Sequence, residues 1–118
     1  MPEERRKFVR LDAKVSVKYR ILERGQPIKE SGSKDIGEGG IRLHLNEYLS
    51  KDTPLELEIT LPAEPKPILA EGLVVWSKEV GKEGGGGVGQ WYDTGIMFTK
   101  IDSISRGKIL KYVYGHIY

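Results

Sequence analysis

Asp35-Ile36-Gly37-Glu38-Gly39-Gly40, followed directly by Ile41-Arg42-Leu43-His44-Leu45-Asn46, is the passage on which the fold turns. Three glycines within four residues permit positive φ and close approach of the backbone to a neighbour, so the first half predicts a tight turn. An aspartate at its head can order such a turn through an Asx-type bond. Successive N–H groups in the turn can then form a nest for an anion. The second half changes character. Ile41, Leu43 and Leu45 alternate with Arg42, His44 and Asn46, the period of two expected of a strand with one buried face.

The same alternation recurs on both sides. Val15, Val17, Tyr19 and Ile21 alternate with Ser16, Lys18 and Arg20; Leu55, Leu57, Ile59 and Leu61 alternate with Glu56, Glu58 and Thr60. Glu23-Arg24-Gly25-Gln26-Pro27 predicts a turn, and Pro27 to Lys34 is polar enough to suggest no more than an edge strand. Ile68 to Val80 is longer and rich in Val and Leu, which suggests a strand buried in part on both faces. Gly84-Gly85-Gly86-Gly87 predicts a flexible connector, and Thr94 to Thr99 a further strand with Ile96 and Phe98 on one face. The period then changes. Asp102 or Ser103 can cap a helix, and Ile109, Val113 and Ile117 follow at helical spacing beside Leu110, Tyr114 and Tyr118. Short antiparallel strands followed by one helix predict a mostly β protein. The expected form is a small closed barrel with a C-terminal α-helix packed against it.

Composition narrows the function classes. The 118 residues fit one domain. There is no cysteine, which excludes disulfides, thiolate nucleophiles and cysteine-based metal centres. The N-terminus carries no apolar stretch after its charges, and no run approaches the length of a membrane span, so a cytoplasmic location without membrane insertion is expected. The two histidines, His44 and His116, have no ligand constellation around them. No nucleophile-elbow or Walker sequence is present, and the glycine run at 84–87 lacks the Lys-Ser/Thr of a phosphate loop. No enzyme, metal or cofactor is expected.

Charge is unevenly spread. Residues 1–20 carry a net charge of +4 and residues 21–118 a net of −2. A basic arm over residues 1–12 on a nearly neutral body, residues 13–118, suits a compact anionic ligand better than a long nucleic acid. The arm contains Arg5-Arg6-Lys7-Phe8-Val9-Arg10, with Arg6 and Arg10 four apart and Phe8 and Leu11 able to pin it.

Arg6 and Arg10, then Asp35 and Gly40, resemble in order the Arg-x-x-x-Arg and Asp/Asn-x-Ser-x-x-Gly motifs of the PilZ family. Leu73-Val74-Val75-Trp76, Gly95-Ile96-Met97-Phe98 and Ile101-Asp102-Ser103-Ile104-Ser105-Arg106 resemble its later strands and the start of its helix, so the likeness runs almost the length of the chain. The resemblance implies a bacterial receptor for cyclic di-GMP. Arg6 and Arg10 would pair with guanine or phosphate, and Asp35 would accept from a guanine N–H or hold an arginine. Gly40 would admit the ligand. Trp76 would either wall the ligand or fill the core, and Arg5 would reach a second ligand molecule. Guanidinium groups suit these tasks because they bind bidentately and also stack. The ligand would order the arm for a downstream protein partner, with the receptor itself a monomer.

One position departs from the pattern: Gly37 stands where the family has serine. Loss of one hydrogen bond predicts weaker binding rather than none. It also supports an alternative, a degenerate domain that binds no nucleotide and acts as a protein adaptor. Binding of single-stranded DNA or RNA would need an aromatic platform along a basic groove, which the nearly neutral body does not supply.

Overall fold

The computed structural model describes residues 10–12, 15–22, 28–80 and 90–117. Among the described residues seven strands and one helix follow in order: β1 (Arg10–Asp12), β2 (Ser16–Ile21), β3 (Lys29–Gly37), β4 (Gly40–Leu45), β5 (Pro54–Thr60), β6 (Ile68–Glu79), β7 (Tyr92–Lys100) and α1 (Ser103–Ile117). Every pairing is antiparallel. The strands run β3-β2-β5-β6-β7-β4 and return to β3, which closes a six-stranded barrel. β1 adds a short seventh strand on β3, with Arg10 opposite Gly37, Leu11 opposite Ile36 and Asp12 opposite Asp35.

The alternation seen in the sequence becomes the two faces of the barrel wall. Val17, Tyr19 and Ile21 of β2, Ile41, Leu43 and Leu45 of β4, and Leu55, Leu57 and Ile59 of β5 all point inward and are buried. Each such side chain removed from water contributes about 1.5–3 kcal/mol, and together they decide which face of each strand turns in. α1 is capped by Asp102, whose Oδ1 accepts the Ser105 backbone N–H at 2.7 Å. The helix lays Ile109 and Val113, both buried, against β1 and β3.

Two strands differ from expectation. β3 is no edge strand. It pairs with β2 through Lys29–Gly32, with β4 through Gly32–Ile36 and with β1 through Asp35–Gly37. It was hard to see because its alternation breaks at a bulge between Ser33 and Asp35. Ser33 turns inward and fastens the barrel there. Its Oγ accepts the Val15 N–H at 2.9 Å, and its own N–H donates to the Val15 carbonyl at 3.1 Å. β6, read as buried on both faces in part, is buried on one. Ile68, Ala70 and Val74 point in, while Leu69, Val75 and Trp76 stand exposed on the outside. The expected turn at 23–27 and the connector at 84–87 lie outside the described residues.

Candidate ligand site on the barrel wall

The turn between β3 and β4 is shorter than the glycine pattern suggests. β3 runs on through Asp35, Ile36 and Gly37, and only Glu38 and Gly39 lie between the strands. Asp35 is therefore a strand residue rather than the head of a turn. It is 1% exposed, and its Oδ2 receives the Arg42 Nη2 at 2.8 Å. A carboxylate this deeply buried needs a charged partner, because the desolvation of an unpaired one costs several kcal/mol. Arg42 supplies it from the neighbouring strand. The Arg42 Nε is also buried and makes no hydrogen bond among the described residues.

Register extends this pair into a row. Asp35 lies opposite Arg42 on β4, Arg42 opposite Gly95 on β7, and Gly95 opposite Trp76 on β6. The row runs across the outer surface, since Ile41, Leu43, Val74 and Ile96 fill the other face. Gly95 has a physical role in it. A Cβ there would lie 2.4 Å from the Trp76 Nε1 and 2.5 Å from its Cε2, so the indole is laid flat across the bare backbone of β7. Trp76 is 42% exposed. It is a wall residue, not a core residue.

Gly40 serves a different close approach. A Cβ at Gly40 would stand 2.1 Å from the carbonyl oxygen of Ile96. The glycine is thus demanded by the seam between β4 and β7. The turn before it is tied to the same strand, because the Phe98 N–H donates to the Gly39 carbonyl at 2.9 Å.

The residues singled out in the sequence gather in one region where they are described. Arg10 sits in β1 with its backbone opposite Gly37, two pairs along from the register pair of Asp12 and Asp35. Asp35, Gly37 and Gly40 flank the β3–β4 turn, and Trp76 ends the row. Arg5 and Arg6 lie outside the described residues. Arg42 and Gly95 were missed as site residues. In a single strand Arg42 is merely the polar half of an alternation, and only cross-strand register sets it between Asp35 and Trp76. No cluster of three or more metal-ligating side chains occurs among the described residues, and no described helix is long and apolar enough to cross a membrane.

The PilZ domain family model matches residues 4–115. The chain belongs to the PilZ domain family. Solved structures agree at the level of fold. This PilZ domain superposes on the Bacillus subtilis inhibitor of motility MotI/DgrA with a TM-score of 0.76 at 21% identity, over 98% of this chain and 52% of that one. It is similar to the K. pneumonia MrkH–c-di-GMP complex, with a TM-score of 0.77 at 19% identity, over 98% of this chain and 52% of MrkH. It is also similar to the PilZ domain of Escherichia coli YcgR with c-di-GMP, with a TM-score of 0.72 at 11% identity, over 95% and 91% of the two chains. The chain spans about half the length of MotI and of MrkH. No curated protein matches its sequence.

Proposed function

We propose that this PilZ domain is a non-catalytic bacterial receptor for cyclic di-GMP. The dinucleotide is held between the N-terminal arm and the outer wall that carries Asp35, Arg42 and Trp76. The observation that carries this reading is the register of β1 on β3. It sets the backbone of Arg10 opposite Gly37, so the end of the arginine motif lies beside the glycine turn. Membership of the family and the c-di-GMP complexes of MrkH and YcgR support the choice of ligand.

The roles follow from chemistry. Arg6 and Arg10 bring positive charge to the phosphates and guanine edges, with Arg5 available to a second ligand molecule. Asp35, fixed by Arg42, presents acceptors on a rigid strand, and the Trp76 indole offers an apolar wall. Gly37, buried at the end of β3, contributes no hydroxyl. The expected loss is one hydrogen bond, about 0.5–1.5 kcal/mol, or about 1.5–3 kcal/mol if its partner is charged, which is roughly threefold to a hundredfold in affinity. Ligand binding draws the arm onto the barrel and so changes a surface that a cytoplasmic protein partner reads.

Isothermal titration with cyclic di-GMP tests this. Saturable heat that Arg10→Ala abolishes or weakens at least tenfold supports the receptor. Absence of heat at millimolar ligand refutes it and favours the adaptor, for which the missing hydroxyl at Gly37 is the motivating observation.

A further inference from the structure

Two residues along β4 from Arg42, a separate cavity of about 560 Å³ opens between β3, the end of β4 and Trp91. It shares no lining residue with the row from Asp35 to Trp76. Its volume falls within the roughly 300–1,000 Å³ of small-molecule sites. The geometry points to a second binding site here, for a purine nucleotide.

The wall of this cavity is aromatic and already flat. His44 and Trp91 stack with ring centroids 4.7 Å apart and planes 7° from parallel. The imidazole is held in place by Asp93, whose Oδ1 lies 3.0 Å from the His44 Nδ1. A rigid pair of rings takes a base by stacking, and the larger surface of a purine gains more from it than a pyrimidine does. The floor is Tyr19. Its hydroxyl donates to Glu47 Oε2 at 2.6 Å, and burial together with that carboxylate holds the phenol well above its usual range.

The rim carries the groups that would choose the base and hold its phosphate. Glu30 and Asn46 are both exposed at the cavity. A carboxylate accepts from the paired N–H groups of a guanine edge, and an amide adds a donor and an acceptor beside it. Lys34 lines the same cavity with its ammonium 3.6 Å from Oδ1 of the largely buried Asp93, a long contact that leaves donors to offer a phosphate. Gly32, between Glu30 and Lys34, keeps the wall open: a Cβ there would meet nothing within 4 Å.

The chain has two tryptophans, so Trp76→Phe leaves Trp91 as the single indole reporter. Titration of that folded variant with GMP is expected to give saturable quenching, with UMP at least tenfold weaker. Glu30→Ala is expected to weaken GMP at least tenfold, while Arg10→Ala leaves it unchanged. The site is overturned if no saturable change occurs up to millimolar GMP, if UMP matches GMP, or if Arg10→Ala removes the signal. The last result would assign the binding to the first site. Should Trp76→Phe fail to fold, calorimetry on the wild type and Trp91→Leu decides. A tenfold or greater loss of GMP affinity supports the site, and an unchanged affinity overturns it.

Discussion

The wall formed by β3, β4, β6 and β7 and the edge formed by β1 meet at the same candidate site, but they are held very differently. Each wall strand is bonded along much of its length to neighbours on both sides, over buried Ile41, Val74 and Ile96. β1 is three residues long, pairs with β3 alone among the described strands, and rests on a partly buried Leu11. The difference separates two duties. A site needs fixed groups to recognise a ligand and at least one loosely held group to report its arrival. Asp35, Arg42 and Trp76 stand on the fixed part, and the arginine motif ends on the loose part.

The largest test strikes the wall. Gly40→Val drives a branched side chain into the Ile96 carbonyl, which is backbone in a closed barrel and cannot step aside. The cost is expected at about 3 kcal/mol or more, seen as a fall of over about 10 °C in the melting temperature. A mild effect would mean that the β4–β7 seam yields easily and that the wall is less fixed than its bonding implies.

Next comes the ion pair within the wall. Arg42→Ala leaves Asp35 buried without this partner, at an expected cost of about 1–3 kcal/mol in chemical denaturation. Asp35→Ala combined with Arg42→Ala should recover part of that loss, since the buried carboxylate is removed together with this partner. If the double variant is as unstable as the sum of the singles, the two residues do not act as a pair.

The edge should respond less. Leu11→Ala is expected to cost about 1 kcal/mol, well below the 2–5 kcal/mol of a deletion in a closed core. Amide exchange sharpens the contrast. The amides of β1 should open with less free energy than those of β4 and β7, which should follow global unfolding. Equal protection in all three strands would erase the distinction between wall and edge.

The smallest effect is expected at the helix that braces the edge. The Ser105 N–H, and then the Ser105 hydroxyl, hold the Asp102 carboxyl below its usual range. A carboxyl lowered in the folded state adds stability above its unfolded pKa, and that stability is lost as pH falls through the folded value. Asp102→Ala should therefore lower the melting temperature by a few degrees near neutral pH, with the difference fading below the usual carboxylate range. A difference that persists in acid would show that the cap does not depend on the charge.

Much of this architecture could be read from the chain because burial was written in phase. β2, β4, β5 and β7 each place aliphatic residues on one face, and α1 announces itself through Asp102 and the spacing of Ile109 and Val113. β3 could not be read so, because its bulge shifts the phase in a stretch with few apolar residues to mark it. The outer face of β6 misled for the opposite reason. Leu69, Val75 and Trp76 are apolar yet exposed. At the site, Asp35, Gly40 and Trp76 were recognisable by order along the chain. Arg42, Gly95 and the His44–Trp91 stack were not, because each acquires its meaning from a residue on another strand.

The bulge in β3 decides the sign of a charge contact. In an unbroken ladder, with Ser33 opposite Leu43, the next outward pair would be Lys34 with Arg42, and Asp35 would turn inward opposite Ile41. Two cations would then face one another on the surface while a carboxylate entered the hydrocarbon interior. One surplus residue cancels both faults at once, by stepping Lys34 out of the ladder and delivering Asp35 to Arg42. Deleting Lys34 removes the surplus residue itself and would leave Asp35 opposite Arg42 in an unbroken ladder, with the outward charge pair kept.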